Sequence, residues 1–174
     1  MFMLSLGANK QYLTLHLYDM QAVKMNIQKQ KGRIKMIKAA IMGFGTIGSG
    51  VAEVLDINKK SIAARVGDEV ELKYVLDLRE FPDSPVADKI VHDFKVIEQD
   101  EEVKIVVETM GGLNPAYPFV KACLMAGKHV VTSNKALVAA HGTELLAIAR
   151  KKHVNFFFEA SVGGGIPIIR PLYR

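Results

Sequence analysis

From residue 36 onward the chain alternates between short unbroken apolar runs and longer stretches where apolar residues recur every three or four positions. A run of four to eight apolar residues bounded by turn residues predicts a strand buried on both faces. The wider recurrence predicts an amphipathic helix. The first predicted strand is 37–43 (IKAAIMG), followed by a helix over 46–55 with Ile47, Val51, Val54 and Leu55 on one face. The second strand is 70–78, followed by the breaker sequence FPDSP at 81–85. A short helix is predicted over 86–94, a third strand over 104–110 and a helix over 115–125, with Gly127 just past its end. A fourth strand (129–132), a helix over 136–152 with a break near His141 and Gly142, and a fifth strand (155–159) complete the pattern. Strands alternating with helices predict a parallel sheet with helices on both faces.

Ligands of such sheets bind beyond the C-terminal strand ends, and the glycine-rich turns of this chain fall there. Gly43-Phe44-Gly45-Thr46-Ile47-Gly48 is a G-x-G-x-x-G between a predicted strand and a predicted helix, the context in which the motif carries weight. Gly43 allows a tight turn, Gly45 lets backbone approach a pyrophosphate, and Gly48 lets helix and strand pack closely. The helix N-terminus adds unpaired N–H groups and a positive dipole end. The expected fold is therefore α/β, a doubly wound parallel sheet of the Rossmann type. Asp77 and Arg79 end the second strand; an acid there suits the ribose hydroxyls of NAD, and an arginine suits the 2′-phosphate of NADP. Asp77 lies further beyond Gly48 than the usual spacing of about 20. The insertion at 59–69 lengthens that connection. The cofactor is left open between NAD and NADP.

Three further strand ends carry candidate chemistry. At Glu108-Thr109-Met110-Gly111-Gly112, glycines would let backbone approach the nicotinamide half of a cofactor. Lys135, after Thr132-Ser133-Asn134, would point into the same crevice and donate to a carbonyl oxygen; a solvated surface lysine is the competing reading. Glu159 leads into Ser161-Val162-Gly163-Gly164-Gly165-Ile166, where a carboxylate and inward carbonyls suit a hard monovalent cation, or the glycines form a hinge. His129, His141 and His153 lack the spacing of a helical metal site; His129 reads as a strand residue and His153 as a helix-end cap. The acidic run 98–102 reads as a solvated face.

Composition narrows the class. At 49% apolar and 24% charged, with one cysteine, the chain is neither disordered nor a disulfide scaffold. Cys123 sits among apolar helical positions and reads as a packed core thiol, compatible with a reducing, cytoplasmic setting. Neither a membrane span nor a signal peptide is expected. The net charge of +5 is local: residues 1–40 hold seven Lys/Arg against one Asp, and the other residues hold 16 basic and 17 acidic side chains. The domain itself is near neutral, which argues against a nucleic-acid partner. Residues 1–35 have weak periodicity and read as a basic arm, either poorly ordered or upstream of a start at Met36. The domain then runs over 36–160, and 161–174 begins a second one.

Four segments together resemble the homoserine dehydrogenase family: IMGFGTIGSGV (41–51), VVETMGG (106–112), GKHVVTSNKALVA (127–139) and FFFEASVGGGIPII (156–169). The resemblance covers 37–172, and its last two motifs are the specific ones. It implies a cytoplasmic, homo-oligomeric, NAD(P)-dependent oxidoreductase interconverting aspartate 4-semialdehyde and homoserine in threonine, methionine and isoleucine biosynthesis. It implies that Phe44, Thr46 and Ile47 hold cofactor phosphates, that Arg79 lies near the adenosine ribose, and that Lys135 contacts cofactor and substrate. It implies a sodium ion bound by Glu159 and by the carbonyls of Val162, Gly164 and Ile166. Family members continue into a substrate and dimerisation domain carrying an acidic pair and a second lysine. This chain stops at Arg174, so the expectation is a cofactor-binding fragment or truncated product, inactive alone; the alternative is a stand-alone dinucleotide-binding module.

Overall fold

The computed structural model describes residues 36–164, 166 and 169–172. The readings made for the arm at 1–35 lie outside the described residues, as do 165, 167, 168, 173 and 174. The elements run β1 (Met36–Met42), α1 (Thr46–Ile57), α2 (Lys59–Val66), β2 (Glu69–Leu76), a 3-10 turn (Ala87–Lys89), β3 (Ile90–Val91), α3 (Phe94–Gln99), β4 (Val103–Glu108), α4 (Ala116–Met125), β5 (His129–Thr132), α5 (Lys135–Lys152), β6 (Phe156–Phe157), α6 (Glu159–Gly163) and α7 (Ile169–Leu172). Six parallel strands form one sheet in the order β3-β2-β1-β4-β5-β6. The strand order changes direction between β1 and β4, the place at which such sheets form a ligand crevice beyond the C-terminal strand ends.

The apolar run 39–42 of β1 reflects burial on both faces. Side chains of a strand alternate between faces. Ile37, Ala39 and Ile41 join Ala52 of α1 and Ile62 and Val66 of α2 in one core layer. Ala40 and Met42 join Ile97, Val120, Cys123, Leu124, Leu137 and Leu145 from α3, α4 and α5 in the other. Burial of one such aliphatic side chain is worth about 1.5–3 kcal/mol. The central strand is therefore fixed from both sides, and with it the turn that follows. Among the described residues no helix is long and apolar enough to cross a membrane.

Four expectations change. The strand expected over 155–159 keeps only Phe156 and Phe157, and Glu159 opens α6. The insertion that lengthens the connection before β2 is helix α2, closed by Gly67 in the left-handed conformation at φ 82°. Its KKSIAARV sequence buries only Ile62 and Val66, a stripe too thin to read as a period. The helix expected over 86–94 is a 3-10 turn followed by strand β3, where Ile90 and Val91 pair with Val75 and Leu76. Two residues are too few for strand periodicity to appear in sequence. The break expected at His141 and Gly142 is absent: α5 is continuous, and Gly142 is buried against Val138. The acidic run is only partly a solvated face, since Asp100 pairs with Lys73 at 2.6 Å and accepts the Glu102 amide at 2.8 Å.

Two buried polar groups lie away from the crevice. Lys128 donates to the carbonyls of Asp100 at 2.6 Å and Val103 at 3.2 Å, which ties the start of β5 to the start of β4. His129 accepts the Asn155 amide at Nδ1, 3.0 Å away, and burial lowers its pKa to about 4. An unfolded histidine titrates near 6.5. The folded state thus resists a proton that the unfolded chain accepts, so His129 lowers stability as pH falls from about 6.5 toward 4, by up to about 3 kcal/mol. The expected result is a falling unfolding midpoint across that window, and a shallower fall in His129→Gln; equal slopes in both proteins would refute it.

Candidate functional site

The β1–α1 turn is built by close contact. Gly43 adopts φ 97°, and a Cβ on it would lie 2.9 Å from the Met110 amide nitrogen. A Cβ on Gly48 would lie 2.0 Å from the Gly43 carbonyl oxygen, so α1 sits directly on the turn. A Cβ on Gly45 would meet nothing within 4 Å. The turn is thus packed on its inner side and clear on its outer side. Gly45 precedes α1 in extended conformation, and no side chain caps the helix. The first amides of a helix have no partner within it, and Gly45, Thr46 and Ile47 are exposed. Thr109 Oγ1 donates to the Gly43 carbonyl at 2.8 Å and binds the turn to the end of β4.

On one side of this turn stands Asp77. Its Oδ2 accepts the Phe44 amide at 2.7 Å, and its carboxylate accepts the Arg79 amide at 3.0 Å, Nε at 2.9 Å and Nη2 at 3.0 Å. Arg79, with the Phe44 and Arg79 amides, holds the Asp77 carboxyl well below the usual carboxylate range. Asp77 and Arg79, expected to serve different cofactors, are bound to each other. The Phe44 amide is already engaged, and its ring packs edge-on against Phe81, whose face lies 5.0 Å from the Arg79 guanidinium. The open amides are those after Phe44.

On the other side stands Glu108, fully buried. Its Oε1 accepts the amides of Met110 at 2.8 Å and Gly111 at 3.2 Å, and its Oε2 accepts the Thr132 hydroxyl. The same hydroxyl oxygen accepts the Asn134 amide at 3.0 Å. Asn134 donates from Nδ2 to the Gly112 carbonyl at 2.6 Å and caps α5 by accepting the Leu137 amide at 3.1 Å. The turns after β4 and β5 are therefore one hydrogen-bonded unit. Lys135, the first residue of α5, stands exposed at its edge. Glu159, Val162, Gly164 and Ile166 lie together at and just after α6, which packs against β5 and α5. Glu159 Oε1 accepts the Ile169 amide at 2.9 Å; Val162 and Ile166 are exposed. Among the described residues no group of three or more His, Cys, Asp or Glu side chains could hold a metal ion.

Contacts thus link Gly43, Phe44, Gly48, Arg79, Met110 and Gly111 around the β1–α1 turn, with Gly45, Thr46 and Ile47 exposed on the same turn; Lys135 follows Asn134, which bonds to Gly112. Thr109, Thr132 and Asn134 were not singled out in sequence, although a Ser/Thr/Asn cluster at a strand end is a known capping signal. His92, bonded to the Asp77 carbonyl and to Glu80, left no sequence signal at all.

The family described as "Homoserine dehydrogenase, NAD binding domain" matches residues 43–159. The homoserine dehydrogenase of Lactococcus lactis is 41% identical over 141 residues, covering 78% of this chain and 33% of its own. That of Pseudomonas aeruginosa is 41% identical over 140 residues, covering 80% and 32%. A crystal structure of Thiobacillus denitrificans homoserine dehydrogenase superimposes with TM-score 0.70 at 38% identity, covering 79% of this chain and 32% of that one. The Staphylococcus aureus enzyme at pH 7.5 gives TM-score 0.70 at 32% identity, covering 77% and 34%. The chain spans about a third of the length of the curated relatives it matches.

The two inner and outer glycines differ in what they tolerate. Gly48→Ala forces α1 off the turn and is expected to cost about 1–3 kcal/mol or more. Gly45→Ala adds a methyl into open space with φ −82° already allowed, so stability stays within about 0.5 kcal/mol. Urea unfolding of both variants checks this, and equal losses would contradict the geometry.

Proposed function

The chain belongs to the family of homoserine dehydrogenase NAD-binding domains, and from that premise we propose that it is the cofactor-binding part of an NAD(P)-dependent homoserine dehydrogenase. The observation that carries the reading is the α1 N-terminus: uncapped, exposed, and preceded by a glycine with clear space around it. The residues present fit a dinucleotide. The amides of Gly45, Thr46 and Ile47 would receive the pyrophosphate, with Gly45 letting it approach. Arg79 and Asp77 would border the adenosine ribose, and Met110 and Gly111 the nicotinamide half.

When bound, the nicotinamide would supply a hydride to the aldehyde carbon of aspartate 4-semialdehyde, or take one back from homoserine, with one proton moving to or from the oxygen. Lys135 would hold the carbonyl oxygen or the nicotinamide amide from the head of α5, where its ammonium has no partner among the described residues. The amides and glycines orient the cofactor. The Glu108 network fixes the turn beside Lys135. Placing both reactants in one geometry is the larger part of such catalysis.

A sodium ion at Glu159 and the carbonyls of Val162, Gly164 and Ile166 is a further part of the proposal. Its support is a carboxylate with one oxygen held by the Ile169 amide and the other remaining, beside a chain reversal at Gly164 with φ 58°. The substrate, the homo-oligomeric state of the full-length enzyme and its place in amino-acid biosynthesis are carried by the family alone.

Titration of the chain with NADH and with NADPH, followed by cofactor fluorescence, tests the reading. Both or either should bind saturably, and Gly45→Ala should weaken binding by roughly tenfold or more while leaving the fold intact. Absence of binding would sink the proposal. The chain alone is expected to show no homoserine-dependent NADPH formation; measurable turnover by the pure 174-residue protein would refute that part.

A further inference from the structure

The dinucleotide site as described leaves His92 unused. His92 follows β3, and its imidazole lies against the 77–80 turn at the adenosine end of the crevice. Nδ1 lies 2.7 Å from the Asp77 carbonyl oxygen, and Nε2 lies 2.7 Å from Glu80 Oε1. A backbone carbonyl and a carboxylate only accept hydrogen bonds. Both ring nitrogens must therefore donate, and an imidazole with two N–H groups is a cation. Neither neutral tautomer satisfies both contacts.

The turn that His92 grips carries the other contacts of this end. Asp77 holds the Phe44 amide, and Arg79 folds back onto Asp77. The turn is thus bonded to the glycine loop at Phe44. Resting on the dinucleotide reading above, we propose that His92 is a positioning residue for the adenosine end of the site: its imidazolium clamps the 77–80 turn, and cofactor affinity falls when the clamp loses its proton.

The electrostatic surroundings agree with this geometry. The Asp77 carbonyl and then the Glu80 carboxylate raise the His92 pKa above its ordinary value. Arg79, the cation of the same turn, has its guanidinium on the Asp77 carboxylate. Asp93, the next residue in sequence, is turned to the Lys95 amide as the cap of α3. Once neutral, His92 keeps one N–H and presents a lone pair to the other acceptor. The turn then relaxes, and the cofactor must order it on binding.

NADH is the probe, because its pyrophosphate keeps its charge across the range, whereas a phosphate monoester such as that of NADPH titrates near pH 6. Its Kd for the full chain is measured by fluorescence from about pH 6 to about pH 9, across the range where a perturbed histidine titrates. The affinity of the unaltered chain should fall about three- to fivefold, as expected for exposed charge pairs. The midpoint of that fall should match the His92 imidazole titration followed by NMR in the free protein. His92→Phe should bind at the weak level at every pH. His92→Arg, cationic throughout and planar, should keep the tight level to the top of the range. Glu80→Gln should move the midpoint down, and this variant decides the matter if His92→Phe fails to fold.

A flat profile in the unaltered chain, an unchanged slope in His92→Phe, or an unmoved midpoint in Glu80→Gln overturns the proposal and leaves the dinucleotide reading standing. Where NADPH alone binds, it replaces NADH as the probe; absence of binding of both at every pH removes the proposal and the dinucleotide reading together.

Discussion

The carboxylate of Glu108 is the constraint on which the crevice depends. It is fully buried at the end of a central strand, where an unpaired charge would cost several kcal/mol. Three donors answer it: the amides of Met110 and Gly111 and the Thr132 hydroxyl. That requirement dictates the shape of two turns at once. The β4–α4 turn must fold back to present its amides, and β5 must end with a hydroxyl in register, as it does where Thr132 pairs with Glu108 across the sheet. Oε1 is shared by two amides, whereas Oε2 rests on the Thr132 hydroxyl, so loss of that hydroxyl leaves a buried acceptor unsatisfied.

The opposite wall follows the same logic with a different degree of burial. Asp77 gathers the Phe44 amide, the Arg79 guanidinium and, through its carbonyl, His92. One wall is sealed and the other is open to solvent. Salt and pH reach the exposed contacts around Asp77 far more readily than those around Glu108. The fold thus joins a rigid end of the crevice to an adjustable one. The glycine turn between them is tied to both, through Thr109 on one side and Phe44 on the other.

The long elements were legible because burial leaves a period in the sequence. β1, α1, β4, α4, β5 and α5 each carry enough apolar residues to declare their faces. The short ones were not. β3 has two residues, and α2 buries only two side chains, so tertiary pairing decides them and local pattern does not. The break expected in α5 shows the same limit in reverse: Gly142 costs a helix about 1 kcal/mol in isolation, yet here its missing side chain lets Val138 pack close. At the site, the glycine motif and Lys135 were visible as residue types at strand ends. The pairing of Asp77 with Arg79, two residues apart, depends on the conformation of the turn between them, and the His92 contacts span 15 and 12 residues; no spacing rule reaches either.

Lys135 occupies a position that local rules disfavour. It is the first residue of an 18-residue helix, where the dipole is positive and a cation is unfavourable by a few tenths of a kcal/mol up to about 1 kcal/mol. The three basic residues at the other end, Arg150, Lys151 and Lys152, sit where the dipole favours them. Asn134 already caps the helix, so Lys135 adds nothing to its start. Its ammonium is exposed, beside a turn held rigid by Glu108. A charge kept at an uphill position on a fixed support is the arrangement expected where an electron-rich oxygen is to be received. In the proposed reading an arriving oxygen would relieve that repulsion, so the helix end would contribute to binding through the lysine that it destabilises.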